Sequence, residues 1–100
     1  MTEDDFQQQV IDLAVLYGWL AYHTRDSRRS QPGFPDLVLV RDMTLFVELK
    51  MPNKKMMPAQ VKWRQALLAA GQEHRLWYPD DWPEIQATLT APRRRAVCHG

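Results

Sequence analysis

The chain has 100 residues, room for one small domain and no second. A hydrophobic content of 45% excludes wholesale disorder, and 13 basic against 12 acidic side chains exclude a global charge excess as the means of holding a polyanion. The single cysteine, Cys98, excludes an internal disulfide or a cysteine zinc cluster, and no apolar run nears the ~20 residues that span a bilayer.

Thr2 is a good N-cap with Asp5 three residues on, and Glu3, Asp4 and Asp5 suit the positive end of a helix. Phe6, Val10, Leu13 and Tyr17 then form an amphipathic stripe that Gly18 stops. Glu3 continues that stripe by one turn. It reads either as a dipole-stabilising acid, like Asp4 and Asp5, or as a carboxylate carried toward a site. Residues 19–24 are rich in strand formers, and residues 25–35, with Ser27, Ser30, Pro32, Gly33 and Pro35, make a long loop of the kind that often carries function.

The next stretch is the most informative. Gly33-Phe34-Pro35-Asp36 leads into the apolar run Leu37–Val40, the polar Arg41-Asp42-Met43-Thr44 follows, and a second run, Leu45–Val47, ends in Glu48-Leu49-Lys50. The two runs predict an antiparallel hairpin. If Val40 pairs with Thr44 across a three-residue loop, Asp36 falls opposite Glu48; a four-residue loop displaces them by one position. Strand alternation puts Glu48 and Lys50 on one face and Leu49 on the other. Two carboxylates and a lysine converging at the end of a buried hairpin are costly without a counter-charge, and a divalent metal is the usual one.

Met51 to Lys55 is a polar, basic connection. Pro58 suits the first turn of a second helix running to Gly71, with a stripe of Gln60, Trp63, Leu67 and Ala70 in which Trp63 reads as core and Gln60 as an exposed helix glutamine. Residues 75–78 read as a strand, 80–89 as a closing helix and 91–100 as a loose tail. The order is therefore α-β-β-β-α-β-α, an α/β domain. Basic residues cluster before the Pro-Asp pair (Arg25, Arg28, Arg29) and after it (Lys50, Lys54, Lys55), a rim suited to a polyanion. Arg28, Arg29 and Lys54 lead as phosphate contacts, with Arg25 and Lys55 beside them. Arg93 to Arg95 read as a solvated loop, and His23 as a satisfied histidine at a strand end rather than a phosphate contact.

Pro35-Asp36 followed by Glu48-x-Lys50 resembles the PD-(D/E)xK nuclease superfamily. The acidic first helix, then GFPD, VELK and QVKW in that order, is similar to the virus-type replication-repair nuclease (VRR-NUC) family, in its stand-alone phage or bacterial form, over residues 2–90. The resemblance implies a restriction-endonuclease-like core, a central mixed sheet flanked by helices, with one nuclease domain at 1–90 and a flexible tail at 91–100. It implies a metal-dependent DNA endonuclease using Mg²⁺ or Mn²⁺ and no organic cofactor, cutting branched DNA such as Holliday junctions during viral replication or repair. Asp36 and Glu48 would be direct ligands, the Leu49 backbone carbonyl another, and Glu3 a third carboxylate, directly or through water. Lys50 would orient the water or stabilise charge on the scissile phosphate, and Gln60 would face the metal site. Virus-type members pair, so a homodimer is expected, with Trp77, Trp82, Met56 and Met57 as contributors. An acidic start without a basic leader fits the cytoplasm, the host's if phage-encoded. A sequence-specific restriction-type endonuclease and a non-catalytic DNA-binding module that keeps the fold stand as alternatives.

Overall fold

The reciprocal cap that Thr2 and Asp5 promise is formed in the computed structural model, which describes residues 1–24 and 31–94. The Thr2 hydroxyl accepts the Asp5 N–H at 3.1 Å, the Asp5 carboxylate accepts the Thr2 N–H at 3.1 Å, and α1 (Glu3–Leu16) begins there. β1 (Leu20–His23), β2 (Leu37–Val40) and β3 (Thr44–Leu49) follow, then α2 (Pro58–Ala69), β4 (Glu73–Trp77), a single 3-10 turn over Pro79–Asp81, and α3 (Trp82–Leu89). The order α-β-β-β-α-β-α and the mixed sheet flanked by helices agree with the sequence reading.

The sheet runs β1-β2-β3-β4, antiparallel through its first three strands and parallel between β3 and β4. A parallel pair cannot be joined by a tight turn, and α2 supplies the crossover. Val40 pairs with Thr44, so the hairpin takes its three-residue connection, and Leu37 pairs with Val47. One further step along both strands sets Asp36 against Glu48.

One face of the sheet carries the core. Leu37, Leu39, Leu45, Val47, Leu49 and Trp77 point there and pack with Phe6, Val10 and Ala14 of α1 and Ile85 and Leu89 of α3, all essentially removed from water. The buried stripe of α1 turns inward at Ala14 instead of running through Leu13 to Tyr17. Leu13 is only half-buried, and Tyr17 lies past the last helical residue, 44% exposed. Trp77, expected at an interface, is wholly buried in this core, and Trp82 packs against it; of the expected interface side chains, Met57 is the most exposed, at 61%.

The opposite face is covered unevenly. α2 lies over the β3–β4 half, while Leu20 and Tyr22 of β1 and Val40 of β2 stay exposed at 75%, 65% and 38%. No residue of α2 is fully buried, so Trp63 is not core as expected: it sits half-buried at the rim. The start of the tail is tied down by the hairpin loop. Arg41 stacks on Trp19 at 4.6 Å and donates to the Tyr17 and Ala91 carbonyls, and Asp42 accepts the Arg94 N–H at 2.7 Å. Residues 95–100 lie outside the described residues. Among the described residues, no helix is long and apolar enough to cross a membrane.

Candidate active site

Strand β2 begins only at Leu37, while β3 runs two residues past that residue's pairing partner, Val47. Beyond that point the N–H groups of β3 lose their partners on β2. The Asp36 carboxylate takes over: its Oδ2 accepts the Leu49 N–H at 2.9 Å. The next N–H, from Lys50, turns to the other neighbour and donates to the Trp77 carbonyl at 3.0 Å. The end of β3 is thus held between a side chain and a strand, with Glu48 and Lys50 on the α2-covered face.

Glu48 is 2% exposed. Its Oε1 accepts the Gln60 amide at 3.0 Å, while its Oε2 is buried without a hydrogen-bond partner. Burial is the main force holding the Glu48 carboxyl well above the carboxylate range; the neighbouring Asp36 adds to it, Lys50 opposes it, and Glu3 adds a little more. Two acids stand side by side, Glu48 buried and Asp36 half-buried, and one cation, Lys50, does not balance them.

Gln60 reaches Glu48 for a reason local to its helix. α2 opens at Met57, whose side chain makes no cap hydrogen bond, so the Met57 N–H needs a partner. Gln60 Oε1 accepts it at 2.7 Å. That bond fixes which end of the amide is which and turns Nε2 toward Glu48. Gln60 is therefore half-buried and doubly committed, not the exposed helix glutamine that its sequence context alone predicts.

Gly33 sets the distance between the Pro-Asp loop and this helix. Its φ is +86°, and a Cβ there would fall 2.4 Å from the Ala59 carbonyl carbon and oxygen and 2.7 Å from the Gln60 nitrogen. Only a residue without a side chain lets the two backbones touch. Trp63 Nε1 donates to the Pro32 carbonyl at 3.1 Å, and Phe34 packs edge-on against Trp63 and Phe46, at 5.1 and 6.2 Å between centroids. A cleft of about 170 Å³ results, with Asp36, Gln60 and Thr24 on its wall. Thr24 is a residue the sequence reading missed. No distinctive pattern in the chain marks it; only the pairing of β1 with β2, which ends in Thr24 N–H donating to the Asp36 carbonyl at 3.1 Å, brings it here.

Of the residues expected at a site, Asp36, Glu48, Lys50, Leu49 and Gln60 share one end of the sheet. Glu3 is exposed at the start of α1 and reaches Glu48 through charge alone. Among the described residues no three His, Cys, Asp or Glu side chains gather closely enough to cage an ion by themselves. Lys54 and Lys55 are exposed on the connection before α2, which is pinned where Tyr78 donates to the Lys54 carbonyl at 2.6 Å. Arg25, Arg28 and Arg29 lie outside the described residues. His23 faces the α1 side of the sheet, opposite Leu37 and away from the carboxylates.

The donor set suits a hard divalent cation. Every candidate ligand is an oxygen, Glu48 Oε2 is a buried acceptor with nothing to accept from, and the repulsion between Asp36 and Glu48 asks for positive charge between them. Mg²⁺ takes few protein carboxylates and keeps several waters, so a pair suffices where a cage is absent.

A family model for the VRR-NUC domain matches residues 3–77, which include every one of these side chains. Two solved structures are similar in fold. One, a VRR_NUC domain, has a TM-score of 0.64 at 23% identity over 74% of this chain and 81% of its own. The other, a VRR_NUC domain protein, has a TM-score of 0.66 at 20% identity over 89% of this chain and 90% of its own. No curated protein matches.

Proposed function

Because the chain belongs to the VRR-NUC domain family, a family of nucleases, we propose that it is a divalent-metal-dependent endonuclease acting on branched DNA such as Holliday junctions. The observation that carries this reading is the orphaned, buried Glu48 Oε2 set beside Asp36 at the open end of the sheet. Asp36 and Glu48 would hold the ion, with the backbone carbonyl of Leu49, the residue after Glu48, as a further ligand and Glu3 acting through water or through its charge. Bound Mg²⁺ or Mn²⁺ lowers the pKa of a coordinated water and offsets charge on a phosphoryl oxygen.

The protein's own groups do the rest. Gln60, held by Met57, keeps Glu48 in one rotamer and leaves Oε2 directed at the ion position. Lys50 places its ammonium beside the reacting phosphate and stabilises the charge that grows there. Hydrolysis forms one P–O bond from water and breaks one ester P–O bond, and a water proton ends on the leaving oxygen. Lys54 and Lys55, with Arg25, Arg28 and Arg29, would position the backbone through phosphates and carry no base readout.

Resolving a four-way junction needs two sites, and one domain of this size holds one, so the active species is a homodimer. Titrating Mg²⁺ and Mn²⁺ against linear, nicked, flapped and four-way DNA tests the reading, with light scattering on the same preparation. Metal-dependent cutting of the branched forms is expected, at a mass of two chains. Cutting confined to one base sequence would favour a restriction-type enzyme instead, and DNA binding without cutting in either metal would favour a non-catalytic module.

A further inference from the structure

The cleft beside Asp36 has a larger neighbour that the catalytic reading leaves unused. Gln31 and Pro32 form a wall common to both. Beyond that wall is a cavity of about 400 Å³ whose other side is Ala59, Lys62, Trp63 and Ala66 of α2. This volume falls within the ~300–1,000 Å³ that small-ligand sites occupy. The four helical residues stand at i, i+3, i+4 and i+7, so they form one face of α2.

Trp63 is the centre of that face, and it is unusually constrained for a half-buried tryptophan. Its only polar hydrogen is spent on the Pro32 carbonyl, and Phe34 stands edge-on against it with 84° between the rings. The indole can offer a ligand its π surface but no hydrogen bond. Ala59 and Ala66 keep the space beside it open. Lys62, exposed at the rim, supplies positive charge. An aromatic platform with no polar readout, flanked by a cation and continuous with a site for a phosphodiester, matches a nucleobase with its adjoining phosphate.

We propose that this cavity receives an unpaired nucleobase next to the scissile phosphate, stacked on Trp63, with Lys62 on the neighbouring phosphate. A base inside continuous duplex has both faces covered by its neighbours and cannot enter. The substrate class therefore narrows to DNA whose stacking is broken beside the cut, as at a gap, a flap or a branch point. Because stacking ignores base identity, the preference is for structure and not for sequence. This inference rests on the nuclease reading and adds the feature of the substrate that the enzyme recognises.

Binding measured in EDTA tests it apart from cleavage. Anisotropy titrations compare an intact duplex with the same duplex carrying a three-nucleotide gap, and 2-aminopurine in the gap reports stacking. The wild-type protein should prefer the gapped form by about ten-fold, within the ~1–3 kcal/mol that one base stacked on an aromatic ring contributes, and should quench the 2-aminopurine. Ala66→Leu fills the cavity from an exposed helical position and should bring the ratio near one and abolish the quenching, with thermal unfolding confirming that the variant is folded. Lys62→Ala should lower the ratio two- to three-fold while quenching persists. A wild-type protein without the preference, or an Ala66→Leu protein that keeps both preference and quenching, overturns the proposal. The two readings fail separately: gap preference abolished by Ala66→Leu with no cleavage in any metal sinks the nuclease, and cleavage with the preference untouched by Ala66→Leu sinks the subsite.

Discussion

Replacing Glu48 by glutamine should stabilise the metal-free protein at neutral pH. Glu48 is buried beside Asp36, and its carboxyl is pushed up to about 9, first by burial and then by Asp36. An acid whose folded value lies above its unfolded value of 4.5 binds more protons in the folded state between those two pH values. Stability therefore falls as pH rises through that window, and the loss is absent below about 4.5. At pH 7.5 the full displacement would cost the fold about 4 kcal/mol. Relaxation of the surroundings and water entry on ionisation recover part of this cost, and about 2 kcal/mol is the effect expected for Glu48. Glutamine is neutral at every pH, nearly isosteric, and can donate to Asp36. In EDTA, urea unfolding at pH 7.5 should place the midpoint of Glu48→Gln about 1–2 M above that of the wild type, and the gap should close by pH 4.5. Adding Mg²⁺ should raise the wild-type midpoint and leave the variant where it is. A variant no more stable than wild type at pH 7.5, or equally stabilised at both pH values, would refute the account of Glu48 as an uncompensated buried acid.

Lys50→Ala should lower cleavage at least a hundred-fold while the Mg²⁺ binding isotherm, followed by calorimetry, stays within two-fold of wild type; equal cleavage rates would remove Lys50 from the chemistry. Gly33→Ala should cost about 3 kcal/mol in urea unfolding, because the left-handed backbone and the approach to Ala59 both forbid a Cβ, and a shift under 1 kcal/mol would show that the loop can move off α2. His74 is 4% exposed with its Nδ1 unpartnered, and burial together with Arg64 and Arg75 lowers its pKa to about 4, so the folded chain resists a proton that the unfolded chain accepts below 6.5. Its stability should fall by about 2 kcal/mol from pH 7 to pH 5, and His74→Leu should remove that slope, which comparison of the two proteins at both pH values isolates from the opposite trend of Glu48. Arg28→Ala with Arg29→Ala should reduce the salt slope of DNA binding by about two counterions on linear and branched DNA alike, measured by anisotropy across salt concentrations.

The division between what the sequence discloses and what it hides follows the range of each interaction. The hairpin register is a local matter: two apolar runs with a fixed polar spacer leave few pairings, and Val40 against Thr44 is among them. The position of Asp36 against Glu48 then follows from strand geometry. Trp63 and Trp77 are equally apolar in sequence, yet one lines an open cavity and the other is wholly buried. What separates them is which face of the sheet each element meets, and that is decided by α1 and α3 filling one side while α2 covers half of the other. Helical periodicity gives the stripe and not its partner.

Gln60 shows where local and long-range causes meet. A helix that begins after a methionine cannot cap itself from that residue, and a glutamine three positions on is a recognised remedy that can be read in the sequence. Its amide has a second end, however, and what that end meets depends on Gly33 admitting α2 to within contact of the Pro-Asp loop. The helix cap and the site are then one device: the Met57 N–H orients Gln60, Gln60 holds one oxygen of Glu48, and the other oxygen is left for an ion. Gln60→Glu would keep the bond to Met57 but turn a second carboxylate on Glu48, whereas Gln60→Met would lose both bonds without adding charge. If the amide acts by positioning Glu48, both variants should weaken Mg²⁺ binding in calorimetry, and Gln60→Glu should also lower apo stability by at least 1 kcal/mol more at pH 8 than at pH 5. Equal metal affinity in the wild type and both variants would show that Glu48 holds its place without Gln60.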